Sequence, residues 1–370
     1  MNKITNNQLI RLIFAFLAEI VREPAVLFWG ILFPILMAWG LGIAFTQKGN
    51  VTQRIAFVKE NTKAQNSEGK LYTFLKSNAN IKYNQYFIDL KNEKLGNISL
   101  VFLESDRSKA YTMLKKGNVN LIIEDGNNIV YHFDPANSEA QKVYLLINNM
   151  MNYGVNYYSA NQAEIKPLTI LGTRYIDFLI PGLIGMGVMM ASTWGISYTI
   201  IERRSKKLLR RMVATPMKRS NFLLALITAR FTMNIIEAGL LFLFSWLYFH
   251  IHIQGSITAL IAVFIAGNVA FSGLSILISS HTANSEVGNG IINAVVTPMM
   301  VLSGIFFSYH NFPEWSLPVI RNLPLTMLAD SLRNIFNEGV SFAGVYREII
   351  VLILTGVISF VVGLRIFKWY

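Results

Sequence analysis

The chain is 370 residues long, 53% hydrophobic and only 15% charged, with a formal net charge of +12 and no cysteine. That apolar content exceeds what a soluble domain of this length carries, so the chain reads as a membrane protein, and neither disulfides nor thiolate metal sites can form. The positive charge does not indicate nucleic acid: eight of the 33 basic residues sit in the single stretch 201–220 beside apolar runs, and no nucleic-acid-binding signature accompanies them.

Crossing a hydrocarbon core of about 30 Å takes about 20 helical residues. Six stretches are long enough and nearly free of charge, at roughly 24–45, 175–200, 221–249, 256–279, 287–309 and 347–367. Ahead of the first, ITNNQLIRLIFAFLAEIVR (4–22) spaces Leu9, Leu12, Ile13, Phe16, Leu17 and Ile20 along one stripe, with Arg11 and Arg22 placed to reach headgroups. Residues 1–23 are therefore expected to form a cytoplasmic amphipathic helix lying in the membrane interface. Glu23 precedes Pro24, and the residue before a proline disfavours helix, which separates this segment from the first span at 24–45. That span is too long for a signal-peptide apolar region and lacks a small-residue cleavage site, so it is expected to stay.

From 46 to 172 the composition changes: charges alternate in sign, and short β-rich runs appear at 54–59, 98–103, 119–124 and 129–133. EDGNNI joins the last two as a hairpin, with Asp125 and Gly126 supplying turn chemistry. KLYTFLKS, RSKAYTMLKKG and a longer segment from about 138 to 160 read as helices. About 125 residues of mixed α and β suffice for a compact domain.

The short, basic loop at 201–220 is expected to be cytoplasmic, because cytoplasmic loops retain Lys and Arg. Counting spans from it puts the 46–172 domain outside and both termini inside. The expected fold is a polytopic α-helical membrane protein with six transmembrane helices, cytoplasmic termini and an inserted α+β extracytoplasmic domain, in which 173–370 form a five-helix transmembrane part. Residues 311–346, polar and proline-broken, are expected to be re-entrant or interfacial helices on the outer side.

Drawn as one helix, the six basic residues of 203–213 (Arg203, Arg204, Lys206, Lys207, Arg210 and Arg211) share one arc, and Ser205, Leu208, Leu209, Met212 and Val213 fill the other. Thr215 and Pro216 then make a good cap and first-position pair for the next helix. Charge alone would serve topology and anionic lipid headgroups, but the apolar face also needs something to pack on, which favours docking of a cytoplasmic partner.

Catalytic and metal signatures are missing. No G-x-S-x-G or H-E-x-x-H occurs, and the pair His250 and His252 reads as solvated rather than metal-bound. The only Gly-Lys pair, Gly69-Lys70, lacks the earlier glycine and the Ser/Thr of a phosphate-binding loop, so ATP chemistry is not expected on this chain. Within the spans, Glu237 stands out, with Arg230 two turns earlier on the same face; a helix-to-helix bond and a substrate or proton role both fit it. Met186, Met189 and Met190 give the second span an adaptable apolar surface, and the fifth carries Asn289, Asn293 and Thr297.

One span, a large external domain, then five spans, with a basic helix closing on Ala214-Thr215-Pro216, resembles the permease subunits of ABC-2 type ATP-binding-cassette exporters. The loop between spans five and six resembles the family too, in Ser303, Gly304, Phe306, Phe307, Pro313, Pro324, Leu325, Thr326, Asp330, Leu332 and Arg333. The approach to the basic helix, Glu202 followed by RRSKKLLRR, is less acidic than the family's usual one. The resemblance implies that 203–213, with Glu202, Thr215 and Pro216, is the coupling helix resting on a separate cassette ATPase, where ATP and Mg would bind. It further implies a homodimer whose second and fifth spans line the route; the apolar, methionine-rich second span suggests a hydrophobic or amphipathic substrate, and the lack of cysteine and of any eukaryotic signal favours the bacterial plasma (inner) membrane. The external domain would shield the exit or engage a periplasmic adaptor. Without the resemblance, a membrane sensor or scaffold with a ligand-binding external domain fits the same layout.

Overall fold

In a computed structural model of the whole chain, the described residues are 8–46, 51–59, 70–82, 85–90, 97–126, 129–135, 137–154, 172, 174–214 and 217–369. The chain divides into two compact units, one of Met1–Thr46 with Thr169–Tyr370 and one of Gln47–Leu168.

The first unit is helical. Among the described residues five helices are long and apolar enough to cross a membrane, Pro24–Phe45, Tyr175–Ser205, Arg219–Phe249, Ile257–Ser279 and Phe342–Arg365, so the protein is a polytopic helical membrane protein. Helix α1 (Gln8–Arg22) precedes them and buries Phe16 and Ile20. The first span begins as α2 (Pro24–Leu27), opens into a π turn at Phe28–Leu32 and continues as α3 (Phe33–Thr46). Pro34 explains the opening, since it has no N–H to return to the carbonyl of Gly30 and the α pattern cannot run through it.

Among the described residues the second unit carries, besides its strands, helices α4 (Lys70–Asn78), α5 (Arg107–Lys115) and α6 (Ser138–Tyr153), after which the helical unit resumes with α7 (Tyr175–Ser205). Helix α7 is the central post, and the most apolar window along it is 78% buried against 17–56% for the other spans. Pro181 frees the carbonyl of Asp177 within it, and Asn337 Nδ2 donates to that oxygen at 3.0 Å. The short α8 (Leu208–Val213) leads to α9 (Arg219–Phe249), α10 (Ile257–Ser279) and α11 (Ser285–Leu302). Helix α11 is 18 residues long, ends before Gly304 at a φ of +67°, and is not among the five qualifying spans, whereas the sequence leads one to expect a crossing to about 309.

Residues 311–346 are broken into short helices that lead into the last span. Helix α12 (Leu317–Arg321) buries only Ile320, whereas α13 (Pro324–Asn337) buries Leu325, Leu328, Ala329, Leu332, Arg333 and Phe336 among the helices around it. Its apolar and polar faces both find partners, which periodicity cannot foresee. Helix α14 (Phe342–Arg365) then closes on α10 through glycines: a Cβ on Gly273 would lie 2.0 Å from the Gly356 carbonyl oxygen, and one on Gly356 would lie 2.4 Å from that of Val269.

The second unit is a six-stranded sheet of order β2-β3-β4-β1-β5-β6, built from β1 (Val51–Lys59), β2 (Asn80–Lys82), β3 (Gln85–Leu90), β4 (Ile98–Glu104), β5 (Leu121–Asp125) and β6 (Ile129–His132). Strand β1 pairs in parallel with β4 and β5, and the remaining pairs are antiparallel. Alternation sends Ile55 and Phe57 to a core shared with Leu71, Leu75, Val143 and Ile147 of α4 and α6, and Ala56 to Ala110 of α5 on the other face. Asp125 accepts from the Leu71 and Tyr72 amides at the start of α4, at 3.1 and 2.8 Å. Strands β2 and β3 carry no alternating signal strong enough to be expected. Helix α6 stops at Tyr153, short of 160, on Gly154 at a φ of +81°.

Candidate functional site

The basic stretch folds as a corner. Helix α7 ends with Glu202, Arg203 and Arg204, after which the Lys206 amide donates to Glu202 O and the Lys207 amide to Arg204 O, both at 2.9 Å. Lys207 adopts a left-handed φ of +58°, and α8 starts afresh at Leu208. The continuous two-faced helix expected over 203–213 is therefore replaced by a helix end, a reversal and a six-residue helix, because a left-handed residue breaks the 3.6-residue period.

The corner sorts the basic residues into two kinds. Arg204, expected on the charged outer arc, is buried: Nη1 donates to the carbonyls of Ser279 and Thr282 at 2.6 Å and Nε to that of Lys368 at 2.7 Å, with the guanidinium over the Phe367 ring at 4.9 Å. Arg203 pairs with Glu19 of α1 and lies over Phe16 and Phe222, at 4.8 and 5.9 Å. Arg219 lies over Trp369 at 5.4 Å. These three tie α1, α7, α9, the α10–α11 turn and residues 367–369 into one junction. Lys206, Lys207, Leu208, Arg210 and Arg211 face outward, Leu209 is buried and Met212 half-buried. Lys206 donates to Glu202 at 2.7 Å, and that bond raises its pKa above the ordinary lysine value. Thr215 and Pro216 lie outside the described residues, and α9 starts at Arg219.

A second lock closes the other end of α7. Arg333 donates through Nε to Phe178 O at 3.1 Å, through Nη2 to Gly304 O at 2.6 Å and through Nη1 to Asp330 at 3.0 Å, and its guanidinium stacks 3.7 Å from the Phe178 ring centre. Gly182 makes the approach possible, since a Cβ there would lie 2.9 Å from Nη2. Burial lowers the Arg333 pKa, opposed by Asp330. The Tyr309 hydroxyl donates to Asp330 at 2.9 Å, and burial, then the Asp330 charge, raise its pKa. Pro324 begins α13, so the motif residues Pro324, Asp330 and Arg333 share one helix.

Between the two locks, α9 carries Arg230, Asn234 and Glu237, all buried. They lie on one face, yet no ion pair joins Arg230 to Glu237 among the described residues. Arg230 packs on Gly195, where a Cβ would lie 2.1 Å from Nε, and Asn234 bonds Ser192 and Asn268. Met186 and Met189 are buried in the helical core and Met190 is half-buried. Asn289, Asn293 and Thr297 recur every four residues on α11, the first half-buried and the other two exposed. Burial thus separates Met186 and Met189 from Asn293 and Thr297, with Met190 and Asn289 between them. Glu19, Phe222, Phe367 and Trp369 at the junction, and Ser192, Asn234 and Asn268 in the core, carry no local signal that would have marked them.

None of the curated proteins matches the chain. A family model described as "ABC-2 family transporter protein" matches residues 24–365, from the first span to the end of α14 and including the basic corner and the Arg333 lock. That coverage decides the matter: the chain belongs to the ABC-2 transporter family, whose members are membrane-spanning permease subunits that typically work with a cassette ATPase.

Proposed function

We propose that the chain is the permease subunit of an ATP-driven exporter: two copies form the route, a cassette ATPase docks on each at the outward face of the basic corner, and ATP and Mg bind on that partner. The observation that carries this is the corner itself. Lys206, Lys207, Arg210 and Arg211 face outward around exposed Leu208, while Leu209 anchors α8 and Arg204 ties the corner to the α10–α11 turn. A push on α8 would reach α7 and the start of α11 together, so an ATPase closing beneath it would move both helices facing the route.

In this reading α11 completes six crossings, the corner faces the cytoplasm of a bacterial cell, the Gln47–Leu168 unit is extracytoplasmic, and the cargo is hydrophobic or amphipathic. The test is charge reversal, Arg210→Glu with Arg211→Glu. The double variant should insert normally but lose the co-purifying ATPase and transport. Unchanged transport would sink the docking reading.

A further inference from the structure

Asn268 Nδ2 donates to the Phe264 carbonyl at 2.8 Å, which turns its Oδ1 toward α9. Asn234 must then present Nδ2, and it donates to Asn268 Oδ1 at 2.6 Å and to Ser192 Oγ at 3.0 Å. Among the described residues Asn234 Oδ1 is left buried with no partner, and so is Glu237 Oε1 three residues on, on side chains whose residues are 2% and 6% exposed. Both residues line one crevice between α7, α9 and the π turn, walled by Gly30, Pro34, Leu183 and Gly187.

Position 30 must be glycine for the carboxylate to sit there, because a Cβ would lie 2.5 Å from Glu237 Oε1. The residues facing the crevice from α7 and from the first span carry no titratable group, and the cation on the same helix, Arg230, packs on Gly195 and forms no ion pair with Glu237 among the described residues. The crevice therefore presents the Asn234 Oδ1 acceptor and the Glu237 carboxyl between apolar walls, with no cation and no free N–H donor among the described residues. Unmatched acceptors in hydrocarbon are costly, and a ligand that brings N–H donors and positive charge offsets both deficits. A hard metal cation wants six or more oxygens, and two side-chain oxygens do not supply them.

We propose that this crevice recognises the ammonium group of a lipophilic amine, with Glu237 taking the charge and Asn234 Oδ1 accepting an N–H. The proposal names a substrate class for the permease reading and rests on it. With no amine present the carboxyl holds a proton; on binding, that proton leaves and the ammonium replaces it, so the crevice stays neutral overall.

Dicyclohexylcarbodiimide tests this in native membranes, because it adds to a protonated carboxyl, the acid proton passing to the reagent's nitrogen and the carboxyl oxygen bonding its central carbon. Peptide mass mapping should find the adduct on Glu237, and N,N-dimethyldodecylamine, whose ammonium carries an N–H but which as a tertiary amine cannot couple to the activated carboxyl, should slow its formation at least about tenfold, equivalent to 1.4 kcal/mol. Dodecanol, with the same chain and no cation, should leave the rate unchanged. Gly30→Leu, which fills the crevice and keeps the carboxyl, should lose protection by the amine. No adduct on Glu237, no protection, or equal protection by dodecanol would each overturn the proposal. Co-purification of the ATPase from the same membranes is scored separately, so an amine result that fails while the ATPase remains bound sinks this inference and leaves the permease reading standing.

Discussion

Arg204 and Arg210 belong to one basic stretch and have opposite duties. Arg204 satisfies three backbone carbonyls at a buried junction, whereas Arg210 is exposed. Removing a donor strands its acceptors at about 1–3 kcal/mol each, so Arg204→Met should cost about 3 kcal/mol or more of stability, while Arg210→Ala should cost under about 0.5. Thermal denaturation in detergent checks the pair, and equal losses would refute the division. Tyr309 supplies a pH dependence. Its raised pKa means that the folded state keeps the phenol protonated longer than the unfolded chain does, so this contribution is complete below the ordinary value of 10.0 and is lost as pH rises through the higher folded value. Tyr309→Phe should flatten that alkaline part of the melting profile and leave the neutral part in place. The charge of these residues is plain in the sequence, but their duties are not: the acceptors of Arg204 lie at Ser279, Thr282 and Lys368, and those of Arg333 at Phe178 and Gly304, so nothing within a local window separates a clamp from a solvated charge.

Among the elements, the spans were the most legible, because an uninterrupted apolar run of sufficient length has few other uses in a folded chain. Strand β1, bounded by charge, was legible for a similar reason, but β2 and β3 were not: NIK and QYFIDL are short, and they are held by pairing, β2 on β3 and β3 on β4, rather than by their own pattern. The corner at Lys207 escaped for a different reason, since one left-handed residue ends a helix without changing composition. Glycines were visible as small residues, but which of them form a seam depends on the partner helix. Gly273 and Gly356 meet backbone to backbone, with no flexible side chain able to yield. Gly273→Val should therefore break the α10–α14 contact and lower the yield of folded protein sharply, while Gly239→Val, where a Cβ meets nothing within 4 Å, should not. Size-exclusion profiles of the two variants give the comparison, and equal profiles would remove the seam from the account.

For the whole molecule, the open question is what covers α11. Asn293 and Thr297 are exposed on a helix packed among the membrane spans, and polar groups facing lipid would have no partner there. A second copy meeting the first along this face would place both sets of side chains beside a shared, hydrated route, which is what the exporter reading needs. The absence of cysteine makes this directly measurable, because any introduced thiol is the only one in the chain. Asn293→Cys should form a dimer-sized disulfide on mild oxidation in membranes. Leu354→Cys, on the apolar face of α14 and 52% exposed, should stay monomeric because that face meets lipid. A disulfide at position 354 without one at 293 would put the contact on α14 and move the route elsewhere. If the coupling argument is also right, adding ATP and vanadate should change the rate of disulfide formation at position 293 in the parent carrying Arg210 and Arg211, and leave it unchanged once both are reversed to glutamate. The ATPase would then no longer reach the corner that Arg204 ties to the start of this same helix.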